Sequence, residues 1–507
     1  MLDRNAEFDP SCAGDGAAGP LRVLMIDLNA FSSFPTLAIG LLTASLRRAG
    51  HAVEVISPLD HGRPTAERER RETLVDHLKR RVHLSMLRPA MPVRDLMRGL
   101  RRGVRERPDR RAVERVRASI AGGAPDAVLL SAYLMHREVV REIAAVCRAE
   151  GIPVLLGGPM FNIGETAREW RSIPGIHAVV GAEADHVVVP IVEAMVRGGD
   201  LSRFPGTVLP DGRAGPPAPP LRPLDAIPFA DFTDFPWERY PVRIVPMMTG
   251  RGCQWAKCAF CSDVVSANGR SFRSRSIGNV LAEMEEQSRR HATRNFLFLD
   301  LKLNSRPDML RGIAEGLPSR VPGAEWIGTV HVDERADNGL SRRDLRAAVR
   351  GGMRRVSFGL ETGSQRLLDR MRKGSSVEGN ARFIRHASEA GLSIRCTMFA
   401  GYPGETAEDM AATADFLEAH EAHLDRVRFN AFSLLDETPV FQEVAAASGA
   451  PILTELRPDP RRARIEYRHP AMEDRRYRRE KRRALAAVFR INRRPVRNAA
   501  RQFDGLM

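Results

Sequence analysis

Cys253, Cys258 and Cys261 sit within nine residues, in the stretch Arg251-Gly252-Cys253-Gln254-Trp255-Ala256-Lys257-Cys258-Ala259-Phe260-Cys261. Thiolates are soft ligands suited to iron–sulfur clusters or to zinc. A structural zinc site wants four ligands, and only three stand here. Cys12, Cys147 and Cys396 are distant singles, and His291 would need a long reach. Three thiolates on one loop would hold a four-iron cluster and leave one iron open to a substrate. Six cysteines in 507 residues are too few for a disulfide framework, so the grouping points to metal in a reducing compartment.

The elements that must position this loop are visible as alternating apolar runs and helical patterns. From Leu21 to Gly199 the runs are Leu21–Leu28, Ala52–Ser57, Asp126–Tyr133, Ile152–Phe161 and His177–Val180. Leu37, Leu41, Leu42 and Leu46 recur at helical spacing before the stop at Gly50. This predicts an α/β fold, an N-terminal doubly wound sheet of five parallel strands, with ligands at the carboxyl ends of its strands. Those ends are the loops Asn29–Pro35, Ser131–Tyr133 and Gly157–Pro159.

A Pro-rich stretch between Pro205 and Pro241 interrupts the pattern, and residues 200–240 are expected to be a linker. Six further strand candidates follow: Arg243–Thr249, Asn295–Leu303, Trp326–Val332, Arg355–Leu360, Ser393–Ala400 and Arg426–Leu434. With crossovers such as Ile277–Arg290 and Ala407–Ala419 they predict a partial (β/α)6 barrel over 241–435, with its chemistry at the carboxyl ends. Residues 436–507 are expected to be helical and Arg-rich without further strands, and 1–20 to be a disordered arm.

The net charge of +15 is concentrated. His61 to Ala118 holds 18 basic and 8 acidic side chains, Arg457 to Arg501 holds 17 and 5, and the remainder nets −7. The body is therefore no basic surface for nucleic acid, and no stacking platform or recognised RNA or DNA module accompanies the basic segments. No apolar run approaches the roughly 20 residues of a membrane span, and Met1 to Pro20 lacks an apolar signal core. A cytoplasmic protein is expected.

The cysteine loop, with Phe260 before its last cysteine, resembles the cluster loop of the radical S-adenosylmethionine (SAM) superfamily, in the branch with an N-terminal cobalamin-binding domain. Phe358-Gly359-Leu360-Glu361-Thr362-Gly363-Ser364-Gln365, Lys373-Gly374 and Gly401-Tyr402-Pro403-Gly404-Glu405-Thr406 are similar to features of that branch. The loop departs from the family in having four residues between its first two cysteines where three are usual. The resemblance, over residues 21 to about 435, implies a 4Fe–4S cluster on Cys253, Cys258 and Cys261, with SAM and cobalamin as further cofactors. SAM would chelate the open iron and be cleaved by an electron from the cluster, and the deoxyadenosyl radical would abstract a substrate hydrogen. Pro403-Gly404 is explained locally as a tight turn before a helix start.

Phe260, Asp300 and Glu361 are implied contacts to SAM. Against this, Asp300 is suited to capping a turn, and Glu361 to pairing with an arginine such as Arg273 or Arg355. His331 and Asp333, after the third barrel strand, are placed to face substrate or simply to be a solvated strand end. In the first domain the residues after strand one, Asp27-Leu28-Asn29-Ala30-Phe31-Ser32-Ser33, carry no dinucleotide glycine fingerprint. Ser131 stands where a phosphoacceptor receiver would have aspartate. The remaining reading resembles a cobalamin domain, with Asn29, Ser131, Tyr133, Gly157 and Gly158 as candidate contacts. No Asp-x-His-x-x-Gly motif in Asp27 to Gly40 supplies a histidine to cobalt.

The expected activity is a C-methyltransferase acting on an unactivated carbon of a natural-product precursor or modified peptide. A second SAM would remethylate cob(I)alamin, and a flavodoxin or ferredoxin would supply electrons. A cobalamin-dependent cyclase or ring-rearranging enzyme is the alternative within enzymes, and an iron–sulfur and cobalamin sensor the alternative outside them. The tail Arg457 to Arg501 is expected to form a helix over or beside the barrel mouth, with a face of Ala484, Leu485, Val488, Phe489 and Val496. Its arginines would then either hold an anionic substrate or only solubilise the helix.

Overall fold

The computed structural model describes residues 19–29, 33–63, 71–85, 91–105, 109–261, 271–447, 452–459 and 463–506. Cys12 and all but the last two residues of the expected N-terminal arm lie outside them. Among the described residues no helix is long and apolar enough to cross a membrane.

The first sheet is built from β1 (Arg22–Asp27), β2 (Ala52–Ile56), β3 (Ala127–Ser131), β4 (Val154–Gly157), β5 (Ile176–Val180) and β6 (Thr207–Val208). Its order is β2-β1-β3-β4-β5-β6, parallel up to β5 and antiparallel at β6. Continuous apolar runs fit because both faces are covered. Along β1, Val23 and Met25 enter one core, while Leu24 and Ile26 enter the other. Each such side chain contributes roughly 1.5–3 kcal/mol on burial.

The stretch expected to be a linker does more than span. Thr207–Val208 extends the first sheet, and Phe232, Phe235 and Trp237 are buried in the same core as β1 and the second sheet. Arg47, at the end of the helix Leu37–Arg48, donates to Asp231 at 2.8 Å and to Asp234 at 2.8 and 2.9 Å. Gly40 of that helix leaves room for the Phe232 ring, which would stand 2.4 Å from an added Cβ. The prolines hide this packing from any periodicity argument, because the segment is held by single side chains and not by an amphipathic face.

The second sheet comprises β7 (Val245–Met247), β10 (Asn295–Phe298), β11 (Glu325–Val330), β12 (Met353–Glu361), β13 (Ser393–Ala400) and β14 (Arg426–Ala431), in the order β14-β13-β12-β11-β10-β7. All its pairings are parallel. A two-stranded ribbon, β8 (Gly250–Arg251) and β9 (Arg273–Ser274), lies just past β7 and brackets the cysteine loop.

The C-terminal region differs from expectation in containing an antiparallel pair, β15 (Thr454–Asp459) and β16 (Arg464–Arg468). β15 is exposed along most of its length and carries Pro458, so no apolar alternation announces it. Ile465 bridges to Leu434, and the Tyr467 hydroxyl donates to the carbonyls of Gly401 and Phe432, both at 2.9 Å. The hairpin therefore sits at the carboxyl ends of β13 and β14. The helix Arg475–Asn492 instead packs on the outside of the barrel, against the helix Ala407–His420 and β14. Asn492 pairs with both backbone groups of Val427, at 2.8 and 2.9 Å, and blunts the edge strand. Arg483 meets Asp415 and Glu418, Arg490 meets Glu421, and Arg476 meets Glu408. These arginines serve the helix–helix contact. Finally, Phe503 and Leu506 cover Ile244, Leu297 and Ile327 at the barrel floor, where buried Arg355 donates to the Phe503 carbonyl at 2.6 Å.

Candidate active site

The cysteine loop begins where β7 ends, and Asp300 fixes that end. Its carboxylate accepts from the Thr249 backbone N–H at 3.0 and 3.1 Å, from the Thr249 hydroxyl at 2.6 Å and from the Gly250 N–H at 2.9 Å. Burial nevertheless raises its pKa to about 6. Asp300 thus braces the turn into the loop, as the capping alternative anticipated. Gly252 with φ +77° and Ala256 with φ +46° turn the loop back. The Trp255 indole donates to the Arg372 carbonyl at 2.7 Å, and an added Cβ on Gly374 would meet the Trp255 ring at 2.3 Å. Glycine at 374, itself at φ +67°, is what lets the segment after β12 dock on the cysteine loop.

Cys253, Cys258 and Cys261 are half-buried thiols outside any disulfide. Burial raises the Cys258 pKa, Cys253 adds to the rise, and Lys373 opposes it. Among the described residues no three His, Cys, Asp or Glu side chains are gathered around a position for a metal ion. His291, weighed as a fourth ligand, packs against Trp237 with ring centres 4.6 Å apart and planes tilted by 30°. Cys147 and Cys396 are buried in the cores. Three soft thiols on one loop, electrostatically coupled and flanked by buried ammonium groups, fit a cluster with three protein ligands.

Those ammonium groups are Lys302 and Lys373, 2% and 8% exposed. Lys302 follows β10, donates to Asp333 at 2.5 Å and lies 3.4 Å from the Gln254 side-chain oxygen. Asp333 also holds Arg335, at 3.0 Å, so it is a paired group and not a solvated strand end. Burial lowers the Lys302 pKa, and Asp333 and Cys253 act against that. Lys373 donates to Glu361 at 2.7 Å. Burial opposes its charge, but Glu361 and the thiols of Cys258 and Cys261 hold its pKa above the ordinary lysine value. Arg273 and Arg355, weighed as partners for Glu361, are committed elsewhere, to Glu183 and to Phe503.

Glu361 adopts φ +61°, a left-handed conformation rare outside glycine and a local strain of the kind held at functional sites. Phe260 stands edge-on to Phe399, Tyr402 and Phe432 at 5.4 to 6.5 Å, and Lys373 Nζ is 5.6 Å from its ring centre. His331 is 8% exposed, lies edge-on to Trp255 at 6.4 Å, and has its pKa lowered to about 3, chiefly by burial and then by Lys373.

At the carboxyl edge of the first sheet, Asp27, Ser131 and Gly157 stand side by side in register. Asn29 donates its backbone N–H to Asp27 at 2.9 Å and its side-chain amide to Thr36 at 3.3 Å. Burial raises the Asp27 pKa to about 6. An added Cβ on Gly158 would meet the Ala132 carbonyl at 2.1 Å, whereas one on Gly157 finds nothing nearer than 3.9 Å. Gly158 is thus demanded by the fold itself, and Gly157 leaves open space of the kind a ligand approach needs. The Tyr133 N–H donates to His136 Nδ1 at 3.1 Å. Burial lowers the His136 pKa to about 4.

The two edges are joined by contacts that sequence reading missed. Past β5, Asp185 takes Arg251 in a bidentate pair at 2.7 and 2.9 Å, and Glu183 takes Arg273 at 2.5 and 3.0 Å. Arg251 and Arg273 are the two strands' contributions from the ribbon that flanks the cysteine loop. The signal was present as Gly-Ala-Glu-Ala-Asp at the end of a buried strand, but its partners lie 66 and 90 residues away.

Residues 247–417 match the model of the Radical SAM superfamily. This part of the chain is a radical SAM domain, a class whose cofactors are a 4Fe–4S cluster and SAM. An uncharacterized methyltransferase of Pyrococcus horikoshii is 28% identical over 290 residues, 55% of this chain and 60% of the relative. The anaerobic magnesium-protoporphyrin IX monomethyl ester cyclase of Rubrivivax gelatinosus is 28% identical over 287 residues, 54% of this chain and 50% of the relative. The matches thus span about half to three-fifths of these curated relatives. Among solved structures, the radical SAM methyltransferase TsrM from Kitasatospora setae, with cobalamin and a [4Fe-4S] cluster bound, superposes with a TM-score of 0.64 at 18% identity. It covers 92% of this chain and 91% of that one. The cobalamin-dependent SAM radical enzyme OxsB gives 0.68 at 14% identity, over 89% and 64%. At these identities the likeness is one of fold, and it extends over both sheets.

Proposed function

We propose that this chain is a cobalamin-dependent radical SAM enzyme, and specifically a C-methyltransferase acting on an unactivated carbon of a natural-product precursor or a modified peptide. The observation that carries the reading is the joining of two parallel-sheet carboxyl edges at the cysteine loop through Asp185–Arg251 and Glu183–Arg273. Two edges that meet are what a reaction with two cofactors requires, since each edge is a ligand position of its own fold.

In this proposal residues 21–199 bind cobalamin, 200–240 connect, 241–435 form the radical SAM barrel and 436–507 close its outer side and floor. When bound, the cofactors supply reductive cleavage of SAM to a hydrogen-abstracting radical and a methyl donor for the substrate carbon. The chain's own residues do the placing. Cys253, Cys258 and Cys261 hold the cluster, Phe260 and Glu361 line the SAM position, and Asp300 keeps the loop entrance fixed. Asn29, Ser131, Tyr133, Gly157 and Gly158 form the cobalamin edge. The hairpin at β13 and β14 and the docked Trp255 narrow the mouth against water. The proposed setting is cytoplasmic, with a small molecule or peptide as substrate and a flavodoxin or ferredoxin as electron donor.

Anaerobic reconstitution with hydroxocobalamin, reductant and SAM should yield both deoxyadenosine and S-adenosylhomocysteine. Failure of reduced, reconstituted protein to cleave SAM would defeat the enzyme reading and favour a sensor. The similarity to a cyclase supports a second reading, ring formation without methyl transfer. Product mass separates the two, because only methylation adds a carbon.

A further inference from the structure

The two buried lysines at the cysteine loop do little to hold it, Lys302 reaching only Gln254 at 3.4 Å, yet the surrounding chain is built around them. Each follows or faces the end of a barrel strand, each is paired with a buried carboxylate, and they approach the loop from different sides. Lys302 Nζ lies 3.4 Å from the side-chain oxygen of Gln254, the neighbour of Cys253, and Lys373 Nζ lies 5.6 Å from the ring centre of Phe260, the neighbour of Cys261. Room for the Lys373 pair is made by Gly359, where an added Cβ would stand 2.1 Å from the Glu361 carboxylate and 2.7 Å from Lys373 Nζ. The strained backbone of Glu361 and the docking of Trp255 on Gly374 fix the same pair from two further directions. A surface lysine needs none of this.

We infer that Lys302 and Lys373 form a cationic bracket that sets the reduction potential of the cluster held by Cys253, Cys258 and Cys261. The inference rests on the cluster assignment and deepens it. A cluster gains negative charge when it takes up one electron, and fixed positive charge in a water-poor site stabilises the reduced form. Glu361 and Asp333 act in the opposite sense and hold each ammonium in place. The lysines are positioning residues, working through the charge they place beside the thiolates and not by contact with substrate.

The test is a redox titration of the full-length, anaerobically reconstituted protein without SAM, following the reduced-cluster resonance by EPR with dithionite as electron source. Lys373→Met and Lys302→Met should each make reduction at least tenfold less favourable, a shift of about 59 mV to more negative potential for a one-electron couple. Glu361→Gln should move the potential the other way, and Lys373→Arg should stay near wild type. Wild-type potentials in both methionine variants, or shifts of the same sign in Lys373→Met and Glu361→Gln, would overturn the bracket and leave the lysines a packing role. Absence of any iron–sulfur resonance in the wild-type protein would instead sink the cluster assignment itself, an outcome told apart from an unmoved potential.

Discussion

The two carboxyl edges solve the problem of a ligand site in opposite ways. The edge of the first sheet is quiet. Its polar groups are committed to near neighbours, the Asn29 N–H to the Asp27 carboxylate and the Asn29 amide to the Thr36 hydroxyl, and its most telling residue is Gly157, which offers only space. The edge of the second sheet is crowded with buried charge, in Asp300, Lys302, Asp333, Glu361 and Lys373. A bulky cofactor held by shape and backbone needs the first kind of edge. A small charged group whose electron affinity matters needs the second. Cost differs accordingly, because buried charge survives only when paired, and at the second edge Lys302 and Lys373 are paired with Asp333 and Glu361.

That contrast breaks most sharply at the cysteines. Replacing Cys253, Cys258 and Cys261 together by alanine should abolish visible absorption of the reconstituted cluster while leaving hydroxocobalamin uptake intact. Retained iron and sulfide, measured chemically, would remove the division of labour. At the quiet edge, Gly158→Val should lose cobalamin uptake and lower the melting temperature, since its Cβ would overlap the Ala132 carbonyl. Gly157→Ala should keep the fold and weaken uptake several-fold, and equal melting curves for the two variants would show that the glycines are interchangeable. Bound cob(II)alamin should lack nitrogen hyperfine splitting from a histidine of this domain.

Between the edges, Arg251→Ala leaves Asp185 buried and unpaired, and should cost about 3 kcal/mol by chemical denaturation. A double-mutant cycle with Asp185→Asn should recover most of that as coupling, and additive effects would mean the edges are not locked together.

In the loop that follows β13, Glu405 accepts from the Tyr477 hydroxyl at 2.6 Å and from the Gly401 N–H at 2.6 Å, and burial raises its pKa to about 7. A carboxyl whose folded pKa is raised stabilises the fold below its unfolded value, near 4.5, and that contribution is lost as pH rises through about 7. Glu405→Gln should therefore flatten the pH dependence of melting between pH 4.5 and 7, and parallel wild-type and variant profiles would contradict the assignment. Smallest of all, Arg483→Ala on the outer helix should change stability by less than about 1 kcal/mol and leave substrate affinity unmoved by salt.

The sequence foretold whatever depends on repetition. Buried strands with both faces covered announce themselves as Val-Leu-Met-Ile or Ala-Val-Leu-Leu, and three cysteines in one loop need no partner to be seen. What stayed hidden depends on pairing at a distance. Glu361 was matched to arginines on charge alone, and its actual partner, Lys373, lies in the neighbouring loop. Asp185 finds Arg251 only after two sheets have been placed side by side. The hairpin of β15 and β16 escaped because β15 is exposed and charged, and Arg475–Asn492 proved a helix that runs along the outside of the barrel, its first turn against the loop after β13. Its buried Tyr477, Leu485 and Val488 also make the tail part of the barrel, so it is no detachable arm.

The floor of the barrel places an order on how this molecule comes into being. Phe503 and Leu506 cover Ile244, Leu297 and Ile327, so the foundation beneath the cysteine loop is among the last parts of the described chain to be synthesised. The strands of the first sheet, all drawn from residues 22 to 208, emerge and pair far earlier. During translation the second sheet therefore stays open at the base, its apolar strand ends uncovered until residue 506 arrives.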